Sequence, residues 1–446
     1  MGRQNTQKNL AFWVPVKRNK VHPANLKKQT PATFQKSLRA TLLIGQAFSL
    51  LPVVGIFSND ANNVKFIITS WKCFYSFLSF FGQIFIVVMC IIRVVSTEAT
   101  LNATTPIIFY GTTCFTMLMF FRVATAWPDL VQHVAKTEEL YPNYDNKLTR
   151  TCQITCAVVL LLALSEHILS LLSAFAGAIM CFPNKSVYEG FARHFYPWVF
   201  NCLPYSPLLG MITQFLHFQS TFIWNFSDLF VICMSYYLTS RLDHVNKKLA
   251  AAQGKYLPEI FWKSTREEYC RATQLVRKVD EVISGIVFVS FANNLFFICL
   301  QLFNTLEDGI KGNGDCNSRS KKTTPLSGYE AATYFLFSLV YLISRSVAVS
   351  LIASQVNTAS MVPAPILYDV PSPVYCVEVQ RFLDQVNGDK VALSGLQFFS
   401  VTRGLLLTVA GTIVTYELVM FQFNSPTADT DTTTLIPPNI STTATP

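Results

Sequence analysis

Charge is what this sequence has least of. Asp, Glu, Lys and Arg make up 14% of it, against 51% hydrophobic residues, where a soluble globular protein carries about 25% charged residues. A chain so poor in charge is expected to be solvated largely by lipid. The twelve cysteines form no CxxC pair, and there is no HxxxH, no HExxH and no carboxylate pair at zinc spacing, so no metal is expected. A Gly-rich phosphate loop and a nucleophile elbow are missing too, which argues against an ATPase or a hydrolase; neither enzymatic activity nor a cofactor is expected. The net charge of +9 could suggest a nucleic-acid partner. No zinc-finger spacing or RNA-binding signature accompanies it, and the Lys and Arg cluster between hydrophobic runs, so no nucleic acid is expected. Nor does a secretory signal open the chain. Residues 1–36 are polar and basic, and the first apolar run starts near Leu38.

What is present is a series of eight apolar runs, at 38–57, 73–95, 106–127, 152–181, 211–240, 282–303, 329–353 and 395–423. A membrane-crossing helix needs about 20 apolar residues, and seven runs meet that. The first, Leu38–Phe57, is interrupted by Pro52 and Gly55, and reads as a helix lying on or dipping into the inner leaflet. The fold class is therefore an all-α membrane protein with seven transmembrane helices. Cysteines inside the runs, such as Cys90, Cys114, Cys233 and Cys299, read as small apolar packers. Cys181 and Cys202 bracket a polar loop. If that loop is extracellular they would be candidates for a disulfide, although spacing does not fix connectivity.

Two signals orient the spans. With the N-terminus inside, the inner segments 1–72, 128–151, 241–281 and 354–403 hold 26 of the 35 Lys and Arg, as a cytoplasmic face requires. Sequons at Asn102, Asn184 and Asn439 all fall on the opposite, outer side, where glycosylation occurs. The segment 241–281 reads as helical extension: Leu242, Val245 and Leu249 recur at helical spacing, and Arg266, Glu267, Glu268 and Arg271 allow pairing along one helix. The tail 424–446 is rich in Thr and Pro and is expected to be disordered.

On the last run, Thr408, Thr412, Thr415, Val419, Gln422 and Phe423 share one narrow helical face. A Thr/Gln stripe must be hidden from lipid. A water-filled pore would hide it, and so would helix–helix hydrogen bonding. Glu417 lies almost opposite the stripe, and an intramembrane carboxylate is normally paired. Arg345, inside the sixth span, is the candidate partner; such a pair, beside Tyr416, would couple the remaining helices to the last one.

The same run reads Thr415-Tyr416-Glu417-Leu418-Val419-Met420-Phe421-Gln422-Phe423. It resembles the Thr-Tyr, five mostly hydrophobic residues, Gln-Phe signature of insect gustatory receptors, and is similar above all to the sugar-receptor branch. Glu166-His167, and Trp224-Asn225-Phe226 with Asp228, are similar to that branch as well. The resemblance covers essentially residues 38–423. It implies a homotetramer, or a heteromer with related receptors, that works as a ligand-gated cation channel in the plasma membrane of chemosensory neurons. Its organisation would be a cytosolic N-terminal segment (1–72), a six-helix ligand-binding bundle with inner anchor extensions (73–353), a cytosolic anchor (354–403), a pore helix (404–423) and an extracellular tail (424–446). Gln422 and Phe423 would form the gate.

A sugar of the glucose, sucrose, maltose or trehalose class presents many hydroxyls around a weakly apolar ring. Its receptor needs carboxylates and amides for the hydroxyls and an aromatic surface for the ring. Polar and aromatic residues inside the spans supply the candidates: Glu166, His167, Gln219, Trp224, Asn225, Asp228, Asn293, Asn294, Gln301, Tyr334 and Arg345. For any one of them, a structural hydrogen-bond network is the competing role. The alternative functions are a G-protein-coupled seven-helix chemoreceptor and a secondary transporter. Against the first stand the inverted orientation and the lack of Asp-Arg-Tyr and Asn-Pro-x-x-Tyr motifs. Against the second stands the lack of paired repeats.

Overall fold

The computed structural model describes residues 33–58, 60–97, 101–140, 146–182, 184–308 and 329–424. Among them run twelve α-helices: α1 (Thr33–Ala47), α2 (Trp71–Ser96), α3 (Leu101–Leu140), α4 (Asn146–Cys181), α5 (Val187–Phe195), α6 (Pro197–Phe200), α7 (Pro207–Ala250), α8 (Glu259–Asp308), α9 (Glu330–Met361), α10 (Pro363–Tyr368), α11 (Val377–Gly388) and α12 (Arg403–Asn424). Two short antiparallel hairpins join them, β1 (Val53–Val54) with β2 (Lys65–Phe66) and β3 (Ser394–Gly395) with β4 (Phe399–Ser400). The fold is all-α, and each expected span coincides with a long helix. Among the described residues, α2, α3, α4, α8 and α9 are long and apolar enough to cross a membrane.

Local chemistry sets the boundaries. Ser70 caps α2 by accepting from the Cys73 amide, and Ser186 caps α5 by accepting from the Glu189 amide, with Glu189 at the capping-box position. Pro197, Pro207 and Pro363 open α6, α7 and α10, where a missing amide proton costs nothing. Gly55 turns with φ of 86°, and a Cβ there would stand 2.0 Å from the Asn63 carbonyl oxygen, so only glycine fits.

The helices are inverted relative to those of a water-soluble bundle. On α2 the inward face is Cys73, Ser76, Ser79, Gln83, Ile86, Met89 and Cys90, while Phe74, Leu78, Phe81, Phe85 and Val88 point outward. Large apolar side chains outside and small or polar ones inside are what a lipid solvent selects. The hub is α7, which packs against α1, α3, α4, α8 and α9 and is buried along most of its length.

Several details differ from the sequence reading. Helix α1 packs one face into the bundle: Phe34, Leu38 and Leu42 are buried against α3, α4 and α7, while Lys36, Leu43 and Ala47 are exposed. The Glu138 carboxylate accepts from the Phe34 amide at 3.1 Å and from the Tyr237 hydroxyl at 3.0 Å, so α3 satisfies the start of α1 and fixes it against the bundle. In the 241–281 region ion pairs run between helices as well as along one, where Lys278 pairs with Glu281 at 2.8 Å. Arg266 pairs with Glu378 of α11 at 2.9 Å and Lys248 of α7 pairs with Glu268 at 2.7 Å, because α7, α8 and α11 are close-packed there. The last run is not one helix from 395; the β3–β4 hairpin precedes α12. Its turn is clasped by Asp280 of α8, which accepts from the Ser394 amide and hydroxyl (2.6 and 2.7 Å) and from the Gln397 amide (3.0 Å).

Candidate functional site

Between α3, α4, α7, α8 and α9, with α5 and α6 closing one side, lies a cavity of about 450 Å³. Small-molecule sites span roughly 300–1,000 Å³. One wall is aromatic: Phe109, Trp198, Trp224 and Phe297, with Phe195 and Tyr110. Most of the rest of the lining is polar, with Glu166, His167, Ser170 and Ser173 from α4, Gln301 from α8, and Tyr334 and Ser338 from α9.

The polar wall is a connected chain. Gln301 donates to the Ser338 hydroxyl at 3.0 Å, and Ser338 donates to the Glu166 carboxylate at 2.6 Å. One link therefore joins α8, α9 and α4 along the edge of the cavity. His217 accepts or donates through Nδ1 to the Tyr110 hydroxyl at 2.9 Å, and its ring lies 5.8 Å from that of His167. From α5 comes His194, whose burial lowers its affinity for a proton and favours the neutral imidazole. Three buried atoms of lining residues have no hydrogen-bond partner: Trp198 Nε1, Trp224 Nε1 and Gln301 Oε1.

Of the sequence candidates, Glu166, His167, Trp224, Gln301 and Tyr334 line this cavity, and Gln219, Asn225, Asp228, Asn293, Asn294 and Arg345 do not. Gln219 instead ties α7 to α2 and the end of α1, donating to Ser49 and Ser79 at 2.8 and 3.0 Å. Asn293 is buried on α8, away from the lining. The other four form a fully buried network beneath the aromatic wall. Arg345 Nε stands 2.8 Å from Asp228 Oδ2, and the guanidinium also donates to Asn225 and, at 3.2 Å, to Asn294. Asp228 accepts from Ser290 and from Asn294 (3.0 Å), and Tyr341 donates to Asn225 at 2.8 Å. The Arg345 guanidinium lies 4.5 Å from the centre of the Trp224 ring, which also packs on Phe297 at 4.6 Å and Phe109 at 6.3 Å. The network thus holds the tryptophan that walls the cavity without entering the cavity itself.

Arg345 is accordingly not the partner of Glu417, because Asp228 occupies its guanidinium at 2.8 Å. Both Glu417 oxygens are buried and unpartnered, and the carboxylate lies within electrostatic reach of Cys299 on α8. Thr408, Thr412, Thr415, Val419 and Gln422 are exposed along one side of α12, and each threonine hydroxyl donates to the carbonyl one turn back. Tyr416 is 41% exposed. Phe423 belongs to α12, with its side chain outside the described residues.

The Cys181–Cys202 pairing is overturned. Cys181 is disulfide-bonded, but Cys202 is a free, exposed thiol: α6 buries Val199 and Phe200, and the chain then turns Cys202 outward. Asn184 is exposed in the turn before α5. Asn102 lies in the first turn of α3 with its side chain outside the described residues, and Asn439 falls outside them altogether.

The sequence reading missed the contribution of 187–200, taken as polar loop. Phe191, Tyr196, Val199 and Phe200 bury themselves in a cluster where α5 packs on α4 and α6 on α2, and deliver His194, Phe195 and Trp198 to the cavity. The density of aromatic residues in that stretch is the signal that could have found it.

The family model described as trehalose receptor matches residues 17–432. The chain belongs to the trehalose receptor family. This places it in the sugar branch of the insect gustatory receptors, and individual relatives agree. It is 33% identical to a Drosophila melanogaster protein named gustatory receptor for sugar taste 64f, over 88% of this chain and 81% of the relative. With Drosophila melanogaster gustatory receptor 5a for trehalose it is 32% identical, over 88% and 85%. Among solved structures, the insect olfactory receptor OR5 from Machilis hrabei, in complex with eugenol, superposes with a TM-score of 0.60 at 14% identity, covering 88% of this chain and 99% of that one. At that identity the likeness establishes a shared fold.

Proposed function

We propose that this gustatory receptor family member is a ligand-gated, non-selective cation channel opened by an extracellular mono- or disaccharide. The observation that carries the reading is the cavity lined both by the aromatic side chains of Phe109, Trp198, Trp224 and Phe297 and by the Glu166–Ser338–Gln301 hydrogen-bond chain. That arrangement complements the apolar face and hydroxyl rim of a sugar. Trehalose and sugar taste in the names of the relatives support the ligand class. Four copies assemble, alone or with related receptors, so that the exposed Thr408–Thr412–Thr415–Val419–Gln422 face of α12 lines one pore. The N-terminus faces the cytosol in the plasma membrane of chemosensory neurons, and Asn102, Asn184 and Asn439 lie outside. Residues 73–353 form the ligand bundle, 354–403 the anchor and 404–423 the pore helix.

Coupling follows from packing. Gln301 and Ser338, on the polar wall, belong to α8 and α9, and α12 packs on both. A sugar that binds the open arrangement more tightly shifts the population toward it. A shift from mostly shut to mostly open takes about 5.5 kcal/mol, which four sites supply at about 1–2 kcal/mol each. Sugar-evoked current from cells expressing this chain tests the reading; a response obtained only when a G protein is supplied would overturn it.

A further inference from the structure

We propose a binding site for an anionic phospholipid in a wedge between the inner ends of α2 and α3. The wedge is a cavity of about 170 Å³, walled by Leu50, Pro52, Phe80, Met117, Leu118 and Phe121. It is apolar, and it opens on the outward faces of two helices that carry the exposed side chains of Phe77 and Leu118. If α2 and α3 cross the bilayer, as the proposed function requires, its mouth meets hydrocarbon, and an acyl chain is the occupant that such walls accept.

The backbone below the wedge is shaped to leave it open. Ser49 and Leu51 adopt φ of 63° and 49°, a left-handed conformation that is unfavourable for a bulky side chain. The Ser76 hydroxyl holds the turn by donating to the Ser49 carbonyl at 2.6 Å. Leu51 is thereby fully buried and does not fill the wedge.

Two cations stand at its inner end. Lys72, one turn before Ser76 on α2, is held by neutral acceptors, Gln46 Oε1 at 2.6 Å and the Val53 carbonyl at 3.2 Å. Arg122 is one turn beyond Leu118 on the same face of α3 and is exposed. Among the described residues neither has a carboxylate partner, and the Arg122 side chain has no protein partner. An unpaired arginine on the lipid-facing side of a span is costly unless it finds a headgroup, and its planar fork matches a phosphate. Trp71, 75% exposed beside Lys72, sits where interfacial tryptophans mark headgroup depth. Headgroup ligands at the interface with an apolar slot one turn deeper are the two halves of a phospholipid site, and the orientation puts it in the cytoplasmic leaflet, where anionic lipids reside.

The test uses the full chain in phosphatidylcholine nanodiscs doped with a phosphatidylserine that bears a diazirine midway along one acyl chain, or with the matching phosphatidylcholine probe. After irradiation, adducts are located by mass spectrometry. Adducts are expected to concentrate in 76–80 and 117–121 and to favour the anionic probe. Lys72→Gln and Arg122→Gln should each lower that yield about fivefold, and Met117→Trp should remove adducts there with both probes. Leu118→Trp, on the exposed lip, serves if Met117→Trp does not give a monodisperse protein. Equal labelling by the two probes, yields unmoved by the two glutamine substitutions, or adducts spread evenly over the exposed faces of α2, α4 and α9 would overturn the site. Absence of adducts anywhere on α2 or α3 would remove the membrane-crossing reading on which it rests.

Discussion

Removing Asp228 should be among the most damaging single changes in this protein. Its carboxylate and the Arg345 guanidinium are 0% and 3% exposed and meet at 2.8 Å, and Ser290 and Asn294 complete the carboxylate's hydrogen bonds. Asp228→Ala leaves a cation buried without its counter-charge, a loss of roughly 3–5 kcal/mol. At about 2–4 °C per kcal/mol for a domain of moderate size, melting should fall by roughly 10 °C. Arg345→Met added to Asp228→Ala removes the stranded charge, and buried pairs replaced by apolar groups recover most of the loss. The double variant should therefore melt above the single one. Fluorescence-detected size-exclusion after a temperature ramp reads both. A melting point for Asp228→Ala within about 2 °C of the parent would refute the network's structural role. So would a double variant less stable than the single, because two charges that contribute independently would lose stability additively.

Other expectations follow from the cavity, the cysteines and the anchor. Glu166→Gln removes the charged end of the Gln301–Ser338–Glu166 chain, and the sugar concentration for half-maximal current should rise about 10–100-fold, the worth of a hydrogen bond to a charged group; an unchanged dose–response would place Glu166 outside the ligand's reach. Cys202→Ser should leave surface expression unchanged, whereas Cys181→Ser should lower it. An impermeant maleimide should label the parent at Cys202 in intact cells and spare it in the Cys202→Ser variant. Glu378 is hydrogen-bonded by Arg266 and Arg381, which hold its carboxyl below the ordinary carboxylate value. The stability it contributes is present above the unfolded carboxylate's pKa and lost as pH falls through the lowered folded one. Glu378→Gln should flatten the fall in melting temperature on acidification, and an identical pH profile in the variant would contradict this.

Helix placement was legible because apolar runs of span length carry their own signal. The α12 stripe was legible because a period of 3.6 fixes which side chains share a face. Depth of packing was less so. The Leu38–Phe57 run reads as interfacial on composition, and nothing in it shows that Glu138, a hundred residues away, caps α1 and ties its buried face to α3. Polar residues within spans marked the helices that meet at the cavity without separating two roles. Glu166 and Gln301 line the cavity, and Asp228, Asn225, Asn294 and Arg345 cross-link the helices below it. Sequence spacing places Glu166 near the depth of Asn225 and Asn294, and only the rotation of each helix in the bundle assigns them to different roles. The Glu417–Arg345 expectation failed for the same reason: a nearer carboxylate, Asp228, faces the guanidinium.

The most direct test of the account is whole-cell current from cells expressing this chain alone, with mono- and disaccharides applied outside, no nucleotide in the pipette and Gln422→Ala as the pore variant. A fast sugar-evoked cation current whose ion selectivity or conductance changes in Gln422→Ala is the predicted result. Surface-expressed protein that passes no current to any sugar, with or without related receptor subunits, would contradict it.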